Sequence, residues 1–178
     1  MTKQDYRELI KPQLLSFPYS VTALKKALSE CKEFIEAKVI LSFMPIKGEI
    51  DLAPILKLYP EKQVLYPVVV GQNMIFATSP NFKRNKWNIL EPDSLREESY
   101  ESAVMFTPGL LFDKEKNRLG RGKGFYDRYI KKNRSKLYTI GIGKKNQLVE
   151  KLPAEEFDEK LDCVFILFEA DDNFVQIT

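Results

Sequence analysis

Short apolar runs of strand length alternate with stretches of helical period along this chain, and that alternation is its strongest constraint. Residues 39–44, 63–70, 103–106, 137–142 and 163–168 read as strands, the last taken as the final one. Thr2 and Asp5 form a capping box that opens a helix to about Ser16, with Pro12 expected to kink or shorten it. Ser20 caps a second helix to Ala37, with Val21, Leu24, Ala27, Leu28, Cys31, Phe34 and Ile35 as its core stripe. Further helices start after Asp51, with Pro54 in the first turn, and at Phe125, ending near Lys132. Gly71-Gln72-Asn73 predicts a hairpin between 63–70, with Pro67 near its end, and 74–78. Segment 79–88 reads as irregular, 96–101 as a linker or short turn, and 152–158 as a loop. The fold class that follows is α/β: a single-domain layered fold over 1–178 with a mainly parallel central sheet flanked by helices.

Run 103–106 leads through Pro108-Gly109-Leu110-Leu111-Phe112-Asp113 to Arg118-Leu119-Gly120-Arg121-Gly122-Lys123-Gly124-Phe125-Tyr126-Asp127. This is strand, long loop, then helix. Alternating glycines let the backbone approach a ligand while Arg121 and Lys123 project from the same loop. The helix opening at Phe125 adds free N–H groups and a dipole that favour an anion such as phosphate. A Walker A loop is excluded, because it would need glycine at 117 and Ser or Thr at 124, where the chain has Asn117 and Gly124. The even spacing also excludes the dinucleotide fingerprint G-x-G-x-x-G. Gly143-Lys144-Lys145 is a second possible anion-facing turn.

Histidine is absent, which removes His-based nucleophile pairs, His-ligated zinc and His acid–base chemistry. Any metal is then a hard cation on oxygen ligands, favouring Mg²⁺. Cys31 and Cys163 lie far apart within apolar patterns and read as buried thiols. The net charge of +3 is uneven: residues 114–136 hold ten Lys and Arg against Glu115 and Asp127, so 18 positive and 23 negative charges remain elsewhere. A basic centre on an acidic body suits a small polyanion better than a long duplex. The 44% apolar and 30% charged composition is that of a globule. No apolar run has the roughly 20 residues that span a bilayer. A polar amino terminus leaves a cytoplasmic protein as the expectation.

Pro-Gly-Leu-x-Phe-Asp followed by Arg-Leu-Gly-Arg-Gly-Lys-Gly-Phe-Tyr-Asp resembles the signature of the 5-formyltetrahydrofolate cyclo-ligase family, also called 5,10-methenyltetrahydrofolate synthetases. The resemblance runs from Lys3 to about Asp162. It implies a compact α/β fold and the ATP-dependent conversion of 5-formyltetrahydrofolate to 5,10-methenyltetrahydrofolate, ADP and phosphate. It assigns ATP to Lys3, Arg7 and residues Arg118, Leu119, Gly120, Arg121, Gly122, Lys123, Gly124, Phe125 and Tyr126. Folate falls to Met44, Glu49 and Trp87 together with residues 121–125, and Mg²⁺ to Asp127 and Asp158. Arg121 and Lys123 are the expected cradle of the γ-phosphoryl group. The expected partners are the two small molecules, with no nucleic acid, no membrane and a monomeric chain. Two positions depart from the family: Phe125 where relatives commonly carry Tyr, and Phe157 where a polar residue is common.

Simpler roles stand beside these. Lys3 and Arg7, four apart, could be a solvated basic face. Glu49 or Asp51 could cap a helix, Met44 and Trp87 could be core, and Asp127 could pair with Arg128 or Lys131 on the helix surface. The glycine segment could be a flexible basic loop, or an RNA-binding arm with Phe125, Tyr126 and Tyr129 stacking bases. A sugar-phosphate isomerase or coenzyme A transferase would instead use Glu49 as base or nucleophile.

Overall fold

The parallel strands carry apolar residues at consecutive positions, so both of their faces must be covered. In the computed structural model, which describes residues 1–169 and 172–178, they form the middle of a seven-stranded sheet. Its strands are β1 (Val39–Leu41), β2 (Gln63–Val70), β3 (Asn73–Ala77), β6 (Ala103–Thr107), β9 (Leu137–Lys144), β11 (Cys163–Leu167) and β12 (Phe174–Ile177). The order is β12-β11-β9-β6-β1-β2-β3, with antiparallel pairing only at the two edges. The helices are α1 (Lys3–Ile10), α2 (Val21–Glu30), α3 (Lys32–Glu36), α4 (Ala53–Leu56) and α5 (Phe125–Asn133).

Period-two alternation divides each strand between two cores. Ile40, Val104, Phe106, Ile140 and Phe165 face Leu24, Leu28 and Phe34 of α2 and α3. Leu41, Met105, Val164 and Ile166 face Tyr129 and Ile130 of α5. Cys31 and Cys163 are free and buried in the first of these cores, as expected of inert thiols. No helix among the described residues is long and apolar enough to cross a membrane.

Several boundaries differ from the sequence reading. The helix expected over 20–37 breaks at Cys31, whose extended backbone (φ −85°, ψ 104°) separates α2 from α3. Pro67 lies inside β2 rather than near its end. It is tolerated there because pairing with β1 stops at Leu65 and only β3 accompanies the rest. Segment 79–88 is not wholly irregular, since β4 (Phe82–Arg84) pairs with β5 (Leu90–Pro92). A further strand, β12, follows the one read as last, as an antiparallel edge on β11. The loop after β6 is also structured: β7 (Leu111–Asp113) pairs with β8 (Arg118–Leu119) and with β10 (Leu148–Val149).

Asp113 is the hub of that small sheet. Its fully buried carboxylate accepts from the backbone N–H groups of Glu115 (2.9 Å), Asn117 (2.8 Å) and Leu152 (2.8 Å), and from the Asn117 amide (2.9 Å). One side chain thus sets the turn before Arg118 and the start of the segment that reaches Asp158. Asp113→Ala leaves these donors buried without partners and is expected to cost about 3 kcal/mol or more, read by denaturant unfolding.

Candidate functional site

From β1 the chain moves to β2 on one side of the sheet, whereas β6 and β9 lie on the other. The direction of winding therefore reverses between β1 and β6, and open α/β sheets place ligands in the crevice beyond the carboxyl ends of such strands. A cleft of about 1280 Å³ lies there. It is lined by every residue that the sequence singled out for ATP, folate or metal: Lys3 and Arg7 of α1, Met44 and Glu49 after β1, Trp87 between β4 and β5, 118–126 after β6, Asp127 on α5, and Asp158.

Lys3 and Arg7 are not a solvated face. The Lys3 ammonium binds Glu155 at 2.7 Å and Asp158 at 2.7 Å, and lies 5.6 Å from the Phe157 ring. Burial opposes its charge, but the two carboxylates outweigh burial and raise its pKa. Arg7 donates from Nε to the Gly120 carbonyl at 2.9 Å. Helix α1 is thereby latched to the 155–158 loop and to the glycine segment. Within that segment Gly122 (φ 95°) and Gly124 (φ 67°) take left-handed conformations, and Gly124 caps α5.

The arginines divide into two kinds. Arg118 is clasped: it donates to the Pro108 carbonyl at 3.1 Å and to Asp127 at 3.2 Å, lies 5.2 Å from the Tyr126 ring, and leaves only 5% of its side chain exposed. Asp127 thus pairs with Arg118, and neither Arg128 nor Lys131 takes it. Arg121, by contrast, reaches across the cleft to Glu49 at 3.3 Å and is partly exposed.

Glu49 does not cap α4, since Asp51 accepts from Ala53 there (2.9 Å) while Glu49 accepts from the Ile46 N–H (3.1 Å). Burial pushes the Glu49 carboxyl above its ordinary range, against the Ile46 N–H, Arg121 and Lys144. Burial, with the Glu49 charge nearby, likewise raises the Tyr126 phenol and keeps it protonated. Trp87 is a rim residue and meets Phe125 edge-on, with ring centroids 5.7 Å apart. Its turn rests on residues the sequence reading missed. Asn85 Oδ1 accepts from the Trp87 N–H (3.0 Å) and the Ile89 N–H (3.2 Å). Asn85 in turn donates to buried Glu91 (3.1 Å), which accepts from Val69 of β2 (3.2 Å). The cluster Asn85-Lys86-Trp87-Asn88 carried the turn signal for this hairpin. Glu155, also missed, had no distinguishing signal.

Asp127 and Asp158 share one corner, because Asp127 Oδ1 accepts from the N–H of Glu159 at 3.3 Å. The described residues contain no cluster of three or more Asp, Glu, His or Cys side chains suited to a metal. The second expected anion turn is overturned: Lys144 is buried and donates to backbone carbonyls. Nor is the basic segment an open arm, since Lys114 pairs with Glu150 (2.6 Å) and Arg134 with Asp162 (2.8 Å), in addition to the pairs above.

The model of the 5-formyltetrahydrofolate cyclo-ligase family matches residues 7–166. The chain belongs to this family. It is 32% identical over 151 residues to the mouse 5-formyltetrahydrofolate cyclo-ligase, covering 74% of each chain. To the Haemophilus influenzae 5-formyltetrahydrofolate cyclo-ligase it is 29% identical over 182 residues, covering 90% of this chain and 97% of the relative. The NMR structure of Aquifex aeolicus 5,10-methenyltetrahydrofolate synthetase superposes with a TM-score of 0.74 at 28% identity, covering 96% of this chain and 91% of that one. A Mycoplasma pneumoniae 5,10-methenyltetrahydrofolate synthetase, at 24% identity and TM-score 0.70, shares the fold over 94% of this chain and 98% of its own.

The raised Glu49 carboxyl carries a stability cost in this cyclo-ligase fold. A carboxyl lifted by burial binds its proton more tightly folded than unfolded, so stability falls as pH rises from the usual carboxylate range through the folded value. Glu49→Gln is expected to raise the thermal midpoint at neutral pH, and the gain should shrink as the solution is acidified. Calorimetry across that range checks it.

Proposed function

We propose that the protein is an ATP-dependent 5-formyltetrahydrofolate cyclo-ligase, acting through a single catalytic domain over 1–178 on two small molecules. One observation carries the reading. The residues assigned to ATP and those assigned to folate line one cleft, and the two sets meet at the Arg121–Glu49 pair.

Glu49 accepts a paired hydrogen bond from the 2-amino group and ring N–H of the pterin, a pattern only an acceptor pair can satisfy. Trp87, Phe125 and Met44 supply apolar walls for the ring. Residues 118–126 and the amino end of α5 receive the nucleotide, with α1 held alongside by Lys3 and Arg7. Phosphate draws Arg121 from Glu49, and Arg121 with Lys123 then follows the charge on the transferring group.

The formyl oxygen attacks the γ-phosphorus and ADP leaves. Folate N10 then attacks the formyl carbon and loses its proton to solvent, and phosphate departs with the formyl oxygen. The substrate supplies both nucleophiles, so the protein's work is positioning and charge stabilisation. Clasped Arg118 holds the loop in shape rather than moving with the phosphoryl group. Asp127 and Asp158 border the cleft and would hold a Mg²⁺ carried with the nucleotide only if Arg118 and Lys3, which pair with them here, turned to the nucleotide phosphates instead. Bound there, it supplies countercharge to the phosphate oxygens.

Purified protein with Mg²⁺-ATP and 5-formyltetrahydrofolate should form ADP and the methenyl chromophore in equal amounts, and ADP only when folate is present. Arg121→Ala is expected to lower kcat about 10²–10³-fold. ATP consumption independent of folate, or oligonucleotide binding with neither product, would sink the proposal.

A further inference from the structure

Lys144 ends β9 and is among the few buried cations of the chain. Its ammonium donates to the Gly48 carbonyl at 2.7 Å and to the Leu14 carbonyl at 3.4 Å, and lies 5.6 Å from the Tyr19 ring. It therefore ties together the loop after β1 and the 3₁₀ turn Lys11–Ser16, two elements with no shared strand or helix. Gly48 immediately precedes Glu49. Two backbone carbonyls would bind a neutral donor as well, and burying an ammonium for that purpose alone is costly. The charge has another use.

We propose that Lys144 is a positioning residue for folate recognition, holding the Glu49 loop and supplying a standing positive charge beside that carboxylate when Arg121 moves to the nucleotide phosphate. The inference rests on the reading that Glu49 receives the pterin.

The groups facing Glu49 are few. Arg121 comes from the glycine segment, Lys144 from β9, the Tyr126 phenol from α5, and the Ile46 N–H from its own loop. Tyr126 is neutral, so once Arg121 turns to phosphate Lys144 is a cation that still acts on Glu49. The influence is mutual: burial lowers the Lys144 pKa, and the Glu49 charge opposes that lowering. Burial raises the Glu49 pKa, so it needs such a charge to stay an acceptor for the pterin. Without Lys144 the proton returns to Glu49 at a higher pH, and folate binding that needs the ionised carboxylate is lost earlier as pH falls.

Isothermal titration of 5-formyltetrahydrofolate and, separately, of Mg²⁺-ATP across pH tests this on the full chain. The proteins are wild type, Lys144→Met, Lys144→Arg, Glu49→Gln and the Lys144→Met/Glu49→Gln double variant, each first checked by thermal unfolding. Lys144→Met is expected to weaken folate about tenfold at neutral pH and to shift the midpoint of folate binding to higher pH, leaving ATP affinity within about twofold. Lys144→Arg, which keeps the charge, should keep the midpoint. In the Glu49→Gln background Lys144→Met should add little. If Lys144→Met fails to fold, Lys144→Gln is read by the same criteria. Equal weakening of both ligands, an unmoved midpoint, or full additivity with Glu49→Gln overturns the role of Lys144 while leaving Glu49 at the folate. If Glu49→Gln itself binds folate as wild type does, the reading of Glu49 fails and this inference with it.

Discussion

Parallel pairing of Ile40 and Leu41 with Val104 and Met105 is the constraint on which the rest of the molecule depends. It brings the carboxyl ends of β1 and β6 side by side, although their residues lie far apart in the chain. The loop bearing Glu49 and the segment bearing Arg121 must then leave the sheet at one edge and face each other. Because winding reverses at this pair, no crossover helix fills the space between them, and a cleft follows. Both faces of these strands are covered by helices, so the crevice has rigid walls.

Charge is arranged around that cleft in opposing pairs, and the pairs differ in how firmly they are held. Arg118 with Asp127 and Lys3 with Asp158 are largely buried and tied by further hydrogen bonds. The first ties β8 to α5 and the second ties α1 to the 155–158 loop, and the Glu159 N–H on Asp127 joins that loop to α5. Arg121 with Glu49 is a longer contact whose arginine is partly exposed, and it can be exchanged for a ligand at lower cost. The proposed positioning of two ligands would draw on both kinds: a fixed frame, and a cation near the surface able to turn to a new anion.

Much of this was legible from residue order. The strands, both capping residues and the glycine segment are local patterns, and local patterns survive reading in one dimension. Thr2 meets Asp5 within a single helical turn, so its capping box could be read directly. The break at Cys31 was not legible, because the apolar stripe continues through it and only packing of α2 and α3 on the sheet decides the bend. The edge strand β12 and the β4–β5 hairpin were missed because strands of three or four residues are too short to show a period, and β4 and β12 are also largely exposed. Lys144 was misread for a related reason: a lysine after glycine looks like an anion-facing turn until Gly48 and Leu14 are seen to surround it.

By itself the sequence determined the α/β class and carried the family signature, since hydrophobic period and motif spacing are local properties of the chain. Only the tertiary structure decided which charges are buried in pairs and which lie at the cleft surface. It made Arg118 a buried strut and left Arg121 in a partly exposed pair with Glu49, although the two stand three residues apart in the same motif. The physical reason is burial: a guanidinium closed in by Pro108, Asp127 and Tyr126 cannot move without leaving charges unpaired, whereas one at the cleft surface can.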